Sequence, residues 1–145
     1  MEELVKLLCE DFAYKGHELS GDLIWIYVES NRMEVKCPYC GVVSSKVHSL
    51  YERRFRDLPI QGKKTEIVLK NRNYFCYNGN CPNRTFAESF DCLPYKGKRS
   101  KRLTEAIIEI ALNTSSLTAA ATLRKGVADV GKTTICDLLK KGPPN

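Results

Sequence analysis

The sequence predicts an α+β chain: a small antiparallel module over residues 1–95, a basic hinge over 96–102 and a helical unit over 103–145. Three observations predict it. In the middle of the chain Ile67 and Leu69 alternate with Glu66, Val68, Lys70 and Arg72, a strand pattern. After residue 102 the period lengthens, and Leu103, Ala106, Ile107, Ile110 and Ala111 recur at helical spacing. Ahead of that change stand two close cysteine pairs, Cys37/Cys40 and Cys76/Cys81.

The elements follow in order. Residues 1–12 read as a short amphipathic helix, and Leu23-Ile24-Trp25-Ile26-Tyr27-Val28 as a strand leading to the first cysteine pair. Strands are expected at about 43–56 and 64–76, with Asp57-Leu58-Pro59-Ile60-Gln61-Gly62 as the turn between them, and a short one at 84–87. Five cations, Lys96, Lys98, Arg99, Lys101 and Arg102, make the hinge. Ser115 or Ser116 caps a second helix running to about Arg124, which Gly126 breaks. The last helix spans about 131–141 with Ile135, Leu138 and Leu139 inward, and Gly142-Pro143-Pro144 stops it. Three short helices with a tight break before the last predict a helix-turn-helix.

Composition bounds the function. The chain of 145 residues suits one ordinary domain or two small ones, and 43% hydrophobic with 28% charged residues marks a globular chain. No apolar run reaches the ~18 residues of a membrane span. Glu2-Glu3 at the start, with no basic region, argues against a secretory signal. The net charge of +6 is uneven: −4 over 1–45, +9 over 46–102 and +1 over 103–145. A concentrated basic block suggests a polyanionic partner.

The seven cysteines form no even disulfide set, and four have metal-knuckle spacing. Cys37-Pro-Tyr-Cys40-Gly is a C-x2-C and Cys76-Tyr-Asn-Gly-Asn-Cys81 a C-x4-C, with 35 residues between them. Zinc takes four thiolates at tetrahedral corners about 2.3 Å from each sulfur, and a tight turn aims two sulfurs at one ion. Pro38 and Gly41 suit the first turn, Asn78-Gly79 the second. Two such knuckles make a zinc ribbon, so the fold class is a zinc-ribbon module followed by a helix-turn-helix. Spacing alone does not separate zinc from iron, as in rubredoxin-like electron carriers; the basic block favours zinc and nucleic acid. A ribbon that docks on protein is the other alternative. Cys9 and Cys136 read as small core residues, Cys92 as a reserve ligand, and His48 and His17 as non-ligands.

Gly126-Val-Ala-Asp-Val-Gly-Lys-Thr133 spells the phosphate-binding G-x4-G-K-[ST]. That chemistry needs a buried strand before the first glycine and an α/β sheet around it. Here a helix precedes it and few residues follow, so no nucleotide site is expected.

Cys37-Pro-Tyr-Cys-Gly and His48-Ser-Leu-Tyr-Glu-Arg-Arg-Phe-Arg-Asp-Leu-Pro-Ile-Gln-Gly62, with Asn71-Arg-Asn-Tyr-Phe-Cys76 and Cys81-Pro-Asn-Arg-Thr-Phe-Ala-Glu88, resemble the zinc-finger region of insertion-sequence transposases of the ISL-three family. Residues 101–141 are similar to the helix-turn-helix that follows in those proteins. The resemblance implies a prokaryotic cytoplasmic protein, associated with the nucleoid when bound, that recognises the terminal inverted repeats of its element in double-stranded DNA, with Cys37, Cys40, Cys76 and Cys81 on zinc. It also implies that the acidic catalytic triad lies in a ribonuclease-H-like domain beyond the helix-turn-helix. No carboxylate here is assigned to that triad, and the chain alone is expected not to cut or join DNA. A homodimer is an open alternative to a monomer.

Phosphate contacts are expected from Arg53, Arg54, Arg56, Lys63, Lys64, Lys70, Arg72, Lys98, Arg99, Lys101 and Arg102. Base readout is expected from the start of the last helix, at Lys132, Thr133, Thr134 and Asp137.

Overall fold

The structure is a computed structural model and describes residues 1–113, 116–124 and 131–141. In chain order it contains α1 (Glu2–Leu8), β1 (Phe12–Ser20), β2 (Leu23–Ser30), β3 (Val35–Lys36), β4 (Val43–Ser44), β5 (Val47–Ile60), β6 (Lys63–Phe75), β7 (Thr85–Ala87), α2 (Lys101–Asn113), α3 (Ser116–Arg124) and α4 (Lys132–Lys141).

Alternation in β2 sends Ile24, Ile26, Val28 and Ser30 to one buried face. The same face receives Phe55 of β5 and Ile67 and Leu69 of β6, and α1 covers it with Val5, Leu8 and Cys9. Phe12, Phe90 and Leu93 complete this core, with the Phe12 and Phe90 rings 4.8 Å apart. The sheet order is β1-β2-β6-β5, and β7 pairs with the far end of β6. β3 and β4 form a separate two-stranded hairpin.

Several expectations need correction. The module is not wholly antiparallel, because β2 and β6 run parallel from Leu23↔Lys64 to Glu29↔Lys70. A parallel pair needs a long crossover, and the β3–β4 hairpin with the whole of β5 supplies it. The first helix ends at Leu8, since Phe12 begins a strand that the sequence reading omitted. The strand expected at 43–56 is two strands, β4 and β5. Asp57–Gly62 is not one long turn: β5 continues to Ile60, and the reversal is the pair Gln61-Gly62. Pro59, placed in the expected turn, lies at a register shift between Asp57 and Ile60, where a missing N–H costs no ladder bond.

The three helices share a second core of Leu103, Ile107, Ala111, Ala120, Leu123 and Ile135, with Leu138 and Leu139 packed against it. Leu58, projecting from the irregular end of β5, joins it. Of the positions expected at helical spacing in α2, Leu103, Ile107, Ile110 and Ala111 pack in this core while Ala106 is only half-buried, and Ile135, Leu138 and Leu139 of α4 face inward as expected. Ser115, the Gly126 break and the Gly142-Pro143-Pro144 stop lie outside the described residues, as do residues 126–130 of the phosphate-loop-like string.

Residues 96–102, read as a hinge, are hydrogen-bonded to the sheet. The Arg56 N–H donates to the Lys98 carbonyl (2.9 Å), and the Ser100 N–H donates to the Arg56 carbonyl (2.8 Å). Lys101 and Arg102 already belong to α2. Ser100 caps that helix, its Oγ accepting from the Leu103 N–H at 3.2 Å. The same hydroxyl donates to Asp57 Oδ1 at 2.7 Å, and Arg102 clasps both Asp57 oxygens at 2.9 and 2.6 Å. Asp57 is 3% exposed, so one buried carboxylate joins the sheet to the helical unit.

Candidate metal centre and basic surface

Each cysteine pair is shaped by its own backbone. In the first, the Gly41 N–H donates to the Cys37 carbonyl (2.8 Å) and the Cys37 N–H to the Val42 carbonyl (3.0 Å), which folds the tip of the β3–β4 hairpin. Gly41 sits at φ +79°, a conformation a side chain resists. In the second, the Cys81 N–H donates to the Asn78 carbonyl (3.0 Å), and Asn78 Oδ1 accepts from the Asn80 N–H (3.0 Å), an Asx turn. The Cys76 N–H donates to the Arg84 carbonyl (2.8 Å), fixing where β6 ends.

These turns bring Cys37, Cys40, Cys76 and Cys81 into one cluster with all four sulfurs within 4.8 Å of one another. The Cys37–Cys81 and Cys40–Cys76 sulfurs are 4.0 and 3.6 Å apart. Four sulfurs tetrahedral about zinc at 2.3 Å stand about 3.8 Å from each other, so the donor set fits that ion. The cluster rests on Tyr74 and Phe86, whose rings stack 5.8 Å apart, and Cys37 is buried against them.

The thiols respond to their surroundings unequally. The Val42 backbone and the Asn78 side chain hydrogen-bond Cys40 and lower it to about 6. At Cys76 the Asn78 backbone favours the thiolate, but burial and the sulfurs of Cys40, Cys37 and Cys81 outweigh it and push the thiol up to about 12. Without a cation, one charge in the cluster disfavours the next; a divalent ion removes that conflict. Four protein thiolates leave no open position for water, so the site is structural in kind.

His48 stays outside the cluster, bonded to Ser49 Oγ (3.0 Å) and edge-on to the Phe75 ring. Cys92 is not a reserve ligand: it packs on the sheet core, and its thiol is pushed up by a hydrogen bond with Cys9 and by burial. His17 lies beside Tyr14.

The basic residues divide into two groups. Some hold the fold. Arg72 donates to the carbonyls of Arg32 (3.1 Å) and Ser30 (3.2 Å), and Arg53 to those of Pro94 (2.9 Å) and Gly97 (3.3 Å). Lys63 donates to the Gly21 carbonyl (2.7 Å), and Arg102 is held by Asp57. Others are wholly or partly exposed. Arg54 pairs with Glu52 and Lys70 with Glu29 at the surface, and Lys98 is exposed. Arg56, Lys64, Arg99 and Lys101 are half-buried. On α4, Lys132, Thr133 and Asp137 are exposed and Thr134 is half-buried.

Sequence reasoning missed the junction of Asp57 with Ser100 and Arg102. Its signal was present: an acid in a strongly basic strand, between the apolar Phe55 and Leu58, reads as a carboxylate held by cations.

Residues 34–81 match the family described as the zinc-finger of transposase IS204/IS1001/IS1096/IS1165. The match takes in all four cluster cysteines and the whole of β5 and β6. No curated protein and no solved structure matches the chain. Among the described residues no helix is long and apolar enough to cross a membrane.

Proposed function

We propose that this chain is the zinc-dependent DNA-binding region of a transposase, reading the terminal inverted repeats of its element. The observation that carries the reading is the four-sulfur cluster inside the segment matched by a transposase zinc finger. The +9 charge over residues 46–102 supports it, since duplex DNA attracts such a surface whatever its sequence. The helical unit acts as a helix-turn-helix with α4 in the major groove. Lys132, Thr133 and Asp137 reach base edges there, and Lys98 and Arg54 hold phosphates. Zinc orders the knuckles and takes no part in chemistry. The region itself does not cut or join DNA, works in a prokaryotic cytoplasm, and binds as a monomer or as a dimer on paired half-sites.

Fluorescence anisotropy tests this with the terminal repeat flanking the reading frame and with a scrambled duplex, each over a salt series. The expected result is an affinity that falls steeply with salt and favours the repeat. Failure to bind either duplex at low salt overturns the reading and leaves a ribbon that docks on protein.

A further inference from the structure

Two strongly exposed aromatic side chains stand at the tips of two separate, braced turns beside one groove. Tyr39, 62% exposed, lies between the ligands Cys37 and Cys40, so the metal knuckle fixes it. Tyr95, 83% exposed, tips a turn closed by the Gly97 N–H on the Pro94 carbonyl (2.8 Å). Arg53 braces that turn from β5 by donating to the carbonyls of Pro94 and Gly97. Both tyrosines line a groove of about 710 Å³ together with Tyr51, His48, Arg53 and Asn73. Lys96 stands at its edge, its ammonium 5.5 Å from the centre of the Tyr95 ring.

We infer that this groove binds an unpaired nucleotide segment at the end of the DNA, a conclusion that rests on the DNA-binding reading above. Tyr39 and Tyr95 serve no core, yet each is held in place, as stacking surfaces for bases must be. A volume near 710 Å³ suits a ligand of small-molecule size, one or two nucleotides, and excludes a duplex. The bases of a duplex are also stacked on one another and offer no free face. Lys96 at the rim matches phosphate charge, while Arg53 stays on the Pro94 and Gly97 carbonyls and Glu88 lies in the floor; Asn73 and His48 offer hydrogen bonds to base edges. The surrounding +9 segment disfavours a basic peptide and favours a polyanion.

Anisotropy with the zinc-loaded full chain tests this using a blunt duplex, the same duplex with a short unpaired end, and a short oligothymidylate. The unpaired end should tighten binding about tenfold over the blunt duplex, the worth of a stacked base. Tyr39→Ala and Tyr95→Ala should abolish that gain and leave blunt-duplex affinity within about twofold; Tyr39→Phe and Tyr95→Phe should retain it, since a phenyl face stacks as well. Equal affinity for blunt and unpaired ends overturns the inference while leaving duplex binding intact. So does an alanine effect of the same size on both probes, or displacement from the groove by an acidic peptide but not by the oligothymidylate. Loss of binding to every probe by the unaltered chain instead overturns the DNA reading itself.

Discussion

Asp57 is the residue on which the two halves of the chain meet. Its carboxylate is 4% exposed and takes bonds from Ser100 and from both ends of the Arg102 guanidinium. Asp57→Ala would strand a cation and uncap a hydroxyl in one step. Breaking a fully buried pair costs about 3–5 kcal/mol, but Arg102 is 37% exposed and recovers water, so about 2 kcal/mol is expected by urea denaturation. Asp57→Asn keeps an acceptor and should lose less; an unchanged midpoint in the alanine variant would remove the junction from the stability of the fold. Glu88 behaves oppositely. Burial raises its carboxyl above the ordinary value, against the help of Ser30, Arg32 and Arg72, and its Oε1 has no hydrogen-bond partner among the described residues. The folded state therefore takes up a proton before the unfolded state does as pH falls. Stability from this group is complete below the unfolded value and is lost as pH rises through the folded one. Glu88→Gln should flatten that slope just above the ordinary carboxylate range and leave stability at neutral pH equal or greater. Urea midpoints across that range measure it, and a marked loss at neutral pH would mean that the charge is needed.

At the scale of elements, the β5–β6 hairpin is closed by two residues in left-handed backbone, Gln61 at φ 53° and Gly62 at φ 74°. Both central residues positive is the type I′ pattern that suits the twist of paired strands. A Cβ on Gly62 would meet no atom within 4 Å, so the cost of Gly62→Ala is conformational alone. About 1 kcal/mol of destabilisation is expected. Gln61→Asn, which tolerates that backbone better, should stabilise by a few tenths of a kcal/mol, and thermal melts of the two variants should shift in opposite directions. The hairpin also shows what a sequence discloses. Its strands were legible because Ile67 and Leu69 alternate, and the four ligands because a tetrahedral site imposes its spacing on each short turn. β1 was hidden: Phe12–Ser20 is exposed at Lys15 and from His17 to Ser20, shows no apolar alternation, and depends on β2 to be a strand. The parallel pairing of β2 with β6 was hidden for a related reason, since local pattern is the same in either direction. That Arg53 and Arg72 hold backbone carbonyls was hidden because those partners lie about 40 residues away in the chain. A basic residue announces its charge but not what it already holds.

Over the whole molecule, the metal cluster stands apart from both apolar cores. The sheet core and the helical core contain none of the four ligands, while Cys37, Cys40, Cys76 and Cys81 gather on the small cluster of Tyr74 and Phe86. β3 and β4 are two residues each, far too short to persist without a staple. Zinc contributes about 10–16 kcal/mol in small zinc-finger peptides, as much as an ordinary domain's entire stability. The ligands touch neither of the larger cores, so that energy is expected to act on the knuckles. Chelation, or Cys40→Ser, should therefore melt the knuckles alone. Amide exchange should quicken over 34–46 and 75–88 and stay slow in β2 and in α2. A single cooperative collapse of all three regions would instead make the metal a condition of the whole fold. The same chelated chain then locates DNA binding. Duplex affinity that survives with an unchanged salt slope assigns the contacts to α4 and the cations of β5. Affinity lost while both cores remain protected assigns them to the knuckles, which the helices would serve only as a support.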